Sequence, residues 1–157
     1  MSNVKTNAMR ILDQMDIQYK SYTYKSKDNK IDGVSVAKKI GKEPKYVYKT
    51  LVAEGRSKEI YVFVILVADE LDLKKAAKAV GEKSIHMIPV KDIQKLTGYI
   101  RGGCSPVGMK KSYQTFIDLS ASNIENIIVS AGKIGIQMEL AVDDLVRAID
   151  GTIDDLI

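Results

Sequence analysis

Apolar residues along the chain are spaced in two ways, one typical of helices and one typical of strands. In residues 5–15 they recur every three or four positions, which predicts an amphipathic helix with Thr6 as its N-cap. Residues 60–68 are all apolar, which predicts a buried strand over 58–68. A preceding strand is predicted over 46–54, and Gly55, Arg56 and Ser57 between the two indicate a hairpin.

Shorter patterns predict the remaining elements. Because helices and strands are interspersed without strict alternation, the sheet should be mixed or antiparallel. We therefore predict the α+β class, or an irregular α/β fold, in a single domain over residues 1–157. The expected helices are 34–40, 72–80, 89–96 and 142–149, and the expected short strands are 85–88, 115–119, 126–130 and 136–140.

Two scarce residue types limit the chemistry that the chain can carry. Its 157 residues include one His, His86, and one Cys, Cys104, so a single chain cannot build a Cys/His zinc site or an internal disulfide. Cys104 could act as a nucleophile only with His86 as its base, whereas the apolar neighbours of His86 favour a strand histidine with a structural partner. We therefore expect a protein without metal or cofactor, in a reducing compartment.

The sequence predicts neither membrane insertion nor secretion. The longest apolar run has nine residues, whereas a membrane helix needs about 20. Residues 1–7 lack the apolar stretch of a secretory leader. The expected location is therefore the cytoplasm.

The net charge of +4 is unevenly distributed along the chain. Residues 20–49 hold nine Lys against three acidic residues, a net charge of +6. Residues 139–157 hold six acidic residues against one Arg, a net charge of −5. A basic segment is typical of proteins that bind a nucleic acid or a nucleotide, and the alternative is a solvated Lys-rich surface with an acidic tail.

Lys49 interrupts an apolar row and is the first candidate site residue. In a strand over 46–54 it shares one face with Val47, Leu51 and Ala53. Burying an unpaired charge is costly, so Lys49 either reaches solvent from an edge strand or lines a pocket that needs a cation. In the second case it can donate to a phosphate or a carbonyl oxygen.

The glycine-rich segment 98–111 is the second candidate. Gly102 and Gly103 permit a ligand to approach the backbone, and consecutive N–H groups in such a loop can hold an anion or an oxyanion. A P-loop is excluded because Met109 stands after Gly108, where that motif requires Lys. The alternative is a structural connection. Residues 130–135 are interpreted as a hairpin turn rather than as a second anion site.

Four segments of the sequence carry a family resemblance. They are residues 47–51, 71–81, 97–111 and 128–135, and the likeness extends over nearly the whole chain. Together they resemble the YbaK family of aminoacyl-tRNA deacylases, related to the editing domains associated with prolyl-tRNA synthetase. The resemblance implies a mixed, partly barrel-like central sheet surrounded by helices. It also implies a cytoplasmic, cofactor-independent trans-editing enzyme that hydrolyses mischarged tRNA, most typically Cys-tRNA(Pro).

The resemblance also implies a mechanism, partners and a set of site residues. The cysteinyl thiol of the substrate attacks its own ester carbonyl, so the protein supplies positioning and an oxyanion site. The implied partners are the 3′-terminal adenosine and acceptor end of an aminoacyl-tRNA, together with prolyl-tRNA synthetase. The implied site residues are Lys49, Gly102 and Gly103 for catalysis, and Tyr24, Ser105, Pro106 and Gln137 for substrate binding.

Two positions depart from the family pattern and leave alternatives open. Cys-editing members often carry a Phe shortly before the glycine equivalent to Gly33, where this chain has Asp32 in a shorter loop. Some members carry an Asp where this chain has Gln137. The alternatives are an Ala-tRNA(Pro) deacylase and a non-catalytic regulator that binds tRNA or a nucleotide on the same fold.

Overall fold

The computed structural model of the chain describes residues 5–157, and within that range every predicted helix and strand is present with slightly different ends. The helices are α1 Asn7–Gln14, α2 Gly33–Lys39, α3 Leu73–Val80, α4 Val90–Thr97 and α5 Val142–Ile149. The strands are β1 Lys20–Thr23, β2 Tyr48–Gly55, β3 Ile60–Leu66, β4 Ile85–Met87, β5 Gln114–Asp118, β6 Asn126–Lys133, β7 Ile136–Ala141 and β8 Thr152–Asp154. Short 3-10 turns occupy Pro44–Tyr46 and Leu119–Asn123.

Helix ends follow from local side chains, as the sequence pattern indicates. The hydroxyl of Thr6 accepts a hydrogen bond from the N–H of Met9 at 3.2 Å, which caps α1 as predicted. Asp72 caps α3 in the same way through the N–H groups of Lys74 and Lys75. Gly81 ends α3 with φ of +77°, a left-handed conformation that glycine adopts without steric cost. The boundaries of these helices are therefore set locally.

The strands are divided between two sheets. The larger sheet has the order β4-β2-β3-β5-β8, antiparallel at β4-β2-β3 and parallel at β3-β5-β8. The smaller sheet has the order β1-β7-β6 and is antiparallel. A parallel bridge between Val47 and Ile128 joins the two. The predicted α+β class with mixed strand pairing is confirmed, and within residues 5–157 the strands form two joined sheets without closing into a barrel.

Buried apolar residues form three clusters around these sheets. The largest lies where α1 and α5 pack on the inner strands and includes the fully buried Leu12, Met138 and Leu145. A second lies under α3, where the rings of Phe63 and Phe116 stack with their centroids 5.9 Å apart. The third lies at the junction of the two sheets: it comprises Ala37, Val47, Val67 and Ile128. This junction cluster fixes the start of β2 against β6, and so positions Lys49.

The two expectations about membranes concern different parts of the chain. From residue 5 onward, no helix is both long and apolar enough to cross a membrane. The expected lack of a leader concerns residues 1–7, of which residues 1–4 lie outside the described residues.

Candidate functional site

Three loops meet at the turn between β6 and β7. A β-carbon placed on Gly103 would lie 2.9 Å from the backbone nitrogen of Ile134. One placed on Gly102, whose φ is +88°, would lie 2.8 Å from Cδ1 of Ile31. The glycine-rich loop therefore touches both the β6–β7 turn and the loop after β1, and only glycine permits these approaches. We call this meeting point the three-loop site, formed by residues 25–31, 98–108 and 133–135.

The glycine-rich loop is held by hydrogen bonds within itself. The N–H of Gly103 donates to the carbonyl of Ile100 at 3.0 Å, and the hydroxyl of Tyr99 donates to the carbonyl of Val107 at 2.6 Å. The N–H of Gly103 is therefore engaged. Within residues 5–157, the N–H groups of Gly102 and Cys104 have no intramolecular acceptor. These two neighbours of Gly103 are the better-placed donors for an anionic ligand.

Ser105 and Pro106 lie inside the loop. Both are buried, and the hydroxyl of Ser105 accepts the N–H of Val107 at 3.2 Å. This hydrogen bond and the fixed φ of Pro106 stiffen the segment that follows the two glycines. The contacts of Ser105 and Pro106 are those of residues that support a loop. Their predicted contact with a substrate stays a prediction.

Tyr24 closes one side of the three-loop site. Its N–H donates to the carbonyl of Gly135 at 2.9 Å, which ties the end of β1 to the β6–β7 turn. Its hydroxyl is buried, and among residues 5–157 it has no hydrogen-bond partner. A buried hydroxyl without a partner is unfavourable, so this group is available to a ligand or a water molecule. The substrate-binding role that the resemblance implies for Tyr24 stays a prediction.

Lys39 on α2 organises the loop after β1, a role that no sequence motif indicates. Its ammonium group donates to the carbonyl oxygens of Lys25 and Lys30 at 2.6 and 3.0 Å. It also donates to the carboxylate of Asp28 at 2.8 Å, which lowers the pKa of that carboxyl. The same ammonium lies 5.9 Å from the centroid of the Tyr24 ring. Lys39 thereby fixes both the loop and Tyr24.

Asp32 and Ile31 account for one departure from the family pattern. Asp32 is the N-cap of α2, where its carboxylate accepts the N–H and the hydroxyl of Ser35 at 3.1 and 2.7 Å. These hydrogen bonds lower its pKa. Because Asp32 turns toward the helix, the preceding Ile31 supplies the apolar side chain that contacts Gly102. An apolar residue thus lines the site despite the missing Phe.

Lys49 lies on β2 just beyond the junction of the two sheets. It is half-buried and, within the described part of the chain, forms neither a hydrogen bond nor an ion pair. The bridge from Val47 to Ile128 is parallel, so Lys49 and Ser130 each follow it by two residues in the same direction. Lys49 thus follows the point where β2 meets β6, the strand that runs on to the three-loop site.

Gln137 lies opposite Ser130 in the smaller sheet and is buried. The hydroxyl of Ser130 accepts the N–H of Gly132 at 3.1 Å, so it braces the end of β6. The β6–β7 hairpin therefore places Gln137 beside β6, two residues beyond the position that β2 meets at the Val47–Ile128 bridge. Ser130 begins the segment 130–135, for which the sequence favours a hairpin turn over a second anion site.

Cys104 and His86 do not form a catalytic pair. Burial raises the pKa of the Cys104 thiol to about 11, so it is protonated at neutral pH. His86 lies on β4 with Nε2 3.0 Å from the carboxylate of Glu54, and its side chain is 58% exposed. The predicted strand histidine with a structural partner is confirmed. Both side chains are therefore engaged or shielded in ways that oppose nucleophilic catalysis.

A cavity of about 810 Å³ lies elsewhere, between the Pro44–Tyr46 turn and the start of β6. Its lysines are paired: Lys42 lies 3.9 Å from the carboxylate of Glu139, and Lys45 lies 3.3 Å from that of Glu43. None of the three loops lines this cavity. From residue 5 to 157, no three His, Cys, Asp or Glu side chains come together as a metal site. The free N–H groups of Gly102 and Cys104 and the buried hydroxyl of Tyr24 favour the three-loop site.

Comparisons with known proteins agree on one family. A model of the "Aminoacyl-tRNA editing domain" matches residues 31–148. A protein of Enterococcus faecalis (strain ATCC 700802 / V583), described as "Putative Cys-tRNA(Pro)/Cys-tRNA(Cys) deacylase EbsC", is 45% identical over 147 residues, which is 94% of this chain and 90% of that protein.

Two solved structures share the fold. The crystal structure of "a putative trans-editing enzyme for prolyl tRNA synthetase" has a TM-score of 0.83 at 20% identity and covers 98% of each chain. A hypothetical protein has a TM-score of 0.85 at 17% identity, over 94% of this chain and 96% of the other. At these identities the likeness extends to the fold alone.

Proposed function

Because the chain belongs to the aminoacyl-tRNA editing domain family, we propose that it is a trans-editing deacylase that removes cysteine from mischarged Cys-tRNA(Pro). The family predicted from four sequence segments is confirmed by the match over residues 31–148. The name of the Enterococcus faecalis relative, which aligns with nearly the whole chain, supports a deacylase acting on a cysteinyl ester.

One observation carries the assignment of this chemistry to the three-loop site. Lys49 follows the bridge that joins β2 to β6, and the free N–H groups of Gly102 and Cys104 lie in the loop that touches the turn at the other end of β6. A cation and backbone donors are what a developing oxyanion requires. The side chains of His86 and Cys104 are otherwise engaged, so the site can stabilise charge without supplying a base or a nucleophile.

The substrate supplies the nucleophile in the mechanism that fits this arrangement. The cysteinyl thiol loses its proton to solvent, and its sulfur attacks the ester carbonyl carbon to form a C–S bond. The C–O bond to the ribose breaks, and the ribose oxygen takes up a proton as tRNA leaves. Water then opens the resulting cyclic thioester to free cysteine. The protein contributes positioning and an oxyanion site, with Lys49 and the loop N–H groups as its donors.

The substrate-binding residues and partners complete the proposal. The free hydroxyl of Tyr24 and the buried amide of Gln137 border the amino-acid pocket, with the loop of Ser105 and Pro106 behind the donors. The 3′-terminal adenosine of the acceptor end binds next to them. Prolyl-tRNA synthetase presents the tRNA, and the reaction takes place in the cytoplasm.

A panel of four charged tRNAs tests the proposal. The purified chain is incubated with Cys-, Ala-, Ser- and Pro-tRNA(Pro), and the remaining ester is followed with time. Loss of the cysteinyl ester alone is expected. Faster loss of the alanyl ester would indicate an Ala-tRNA(Pro) deacylase, and binding without turnover on any of the four would indicate a regulator. Equal rates on the Cys and Ser esters would indicate an activated water instead of the substrate thiol.

Lys49→Ala tests the catalytic group. We expect it to abolish deacylation while the circular dichroism spectrum and the melting temperature stay near those of the unmodified chain. Lys78→Ala, an exposed lysine on α3, is the matched control and should be fully active. Full activity of the Lys49→Ala variant would overturn the role of Lys49, whatever the substrate.

A further inference from the structure

Cations lie on all three segments that form the three-loop site. All of them are exposed, and within residues 5–157 none forms an ion pair. Two acidic residues of the same region are occupied, Asp28 by Lys39 and Asp32 by the N-terminus of α2. We call this set the cationic rim: it consists of Lys25, Lys27, Lys30, Arg101 and Lys133.

The arrangement of the rim is fixed by packing. Lys39 holds the loop that carries Lys25, Lys27 and Lys30 by donating to two of its carbonyl oxygens. Ile31 then docks that loop on Gly102, which is the neighbour of Arg101. Gly103 in turn lies against the backbone of Lys133. Like charges repel, so a fold that places five of them on three contacting segments gains most when an anion is bound there.

The rim narrows the prediction made from the Lys-rich segment 20–49. Three lysines of that segment are paired with carboxylates inside the chain: Lys39 with Asp28, Lys42 with Glu139 and Lys45 with Glu43. Their charges are largely neutralised. Three of the six lysines that have no such pair within residues 5–157, Lys25, Lys27 and Lys30, lie in the loop after β1. Arg101 and Lys133, far away in the sequence, lie on the two segments that this loop and Gly103 contact.

We propose that the cationic rim binds the sugar–phosphate backbone of the tRNA acceptor stem next to the aminoacylated 3′ end. This inference rests on the proposed function. A regular row of phosphates is the polyanion that matches separate exposed cations on neighbouring loops, because each ammonium or guanidinium can bind one phosphate. The rim then supplies affinity without sequence selectivity, and the three-loop site supplies the choice of amino acid.

Two substrates distinguish a contribution of the cationic rim to tRNA binding from a contribution to ester cleavage. One is full-length Cys-tRNA(Pro), and the other is adenosine esterified with cysteine, which lacks phosphates. In Arg101→Gln/Lys133→Gln and in Lys27→Gln/Lys30→Gln, kcat/KM on the tRNA should fall about tenfold more than on the small ester at low salt. The plot of log(kcat/KM) against log[salt] should become shallower by about one per removed contact. Lys78→Gln/Lys83→Gln, a pair of exposed lysines away from the rim, is the control.

Equal losses of kcat/KM on the two substrates, or an unchanged slope of log(kcat/KM) against log[salt], would overturn the proposed role of the cationic rim. Failure of the unmodified chain to cleave either ester would instead overturn the proposed function. A separate readout then decides the rim: the Kd for uncharged tRNA, measured by fluorescence anisotropy, should rise in both rim variants and not in the control. An unchanged Kd would refute the inference.

Discussion

Replacing Gly103 by alanine tests the close approach on which the three-loop site depends. The new β-carbon would lie 2.9, 3.1 and 3.2 Å from three backbone atoms of Ile134 and Lys133. Backbone atoms in a hairpin turn cannot rotate away as a side chain can, so the loop and the turn must separate by a few tenths of an ångström. Overpacking of this kind costs about 1–3 kcal/mol, and each kcal/mol lowers Tm by about 2–4 °C in a domain of this size.

Activity should suffer more than stability, because the same displacement moves the N–H groups of Gly102 and Cys104. Small misplacements of catalytic donors reduce rates by up to about 100-fold, so we expect kcat/KM for deacylation to fall by about 10- to 100-fold. Gly81→Ala is the matched control: its φ of +77° makes alanine strained, yet no other group lies within 4 Å of the new β-carbon. Its Tm should fall by about as much, because left-handed backbone costs roughly 1–2 kcal/mol.

The assay compares the two variants at a temperature where both are folded. Deacylation should be lost in Gly103→Ala and kept in Gly81→Ala. If Gly103→Ala melted and reacted like the unmodified chain, the contact between loop and turn would be wrong. If both variants lost activity equally, global stability rather than local geometry would explain the result.

Three other perturbations follow from single side chains. Lys39→Met removes three hydrogen bonds from the loop after β1, so limited proteolysis should cut that loop faster and KM should rise more than kcat falls. Asp118→Asn weakens a buried acceptor of the N–H groups of Ser120 and Leu156, and urea denaturation should show a loss of about 1–3 kcal/mol. Burial raises the pKa of Cys104 from 9.0 to about 11, so iodoacetamide should alkylate it about 100-fold more slowly at pH 8 than a free thiol of that ordinary pKa. Because the unfolded thiol ionises first, the stability contribution of Cys104 should be full below pH 9 and fall as the pH rises toward 11, as thermal melts would show.

Local sequence signals are sufficient for most of the elements. The cap at Asp72 and the glycine at Gly81 enclose α3, and both act on neighbouring backbone groups. The strand β8 is missing from the prediction because it has three residues and pairs in parallel with β5, more than thirty residues away in sequence. No short-range pattern carries that pairing, and the same holds for the division of the strands between two sheets.

In the candidate site, too, local sequence signals indicate some of the important residues and only tertiary contacts reveal the others. Lys49 is visible in the sequence because a lysine in an apolar row violates the alternation of its own strand. Lys39 is invisible because its three acceptors belong to a loop whose path is decided by the fold. The engagement of the Gly103 N–H with Ile100 is likewise a property of the folded loop. Residue type therefore indicates which groups are unusual, while tertiary contacts decide which of them are free.

The positions of the one His and the one Cys of the chain bear on the selectivity between cysteinyl and seryl esters. A water-activating site could use either group to hydrolyse esters of cysteine, serine and alanine alike. Here the imidazole is paired with Glu54 on an exposed strand, and the thiol is kept protonated by burial. With these two groups unavailable, the mechanism proposed above uses the thiol of the substrate as the nucleophile. A hydroxyl in place of the thiol remains protonated near neutral pH, so selectivity for cysteine over serine then follows from the acidity of the substrate, and the pocket need only exclude side chains that do not fit.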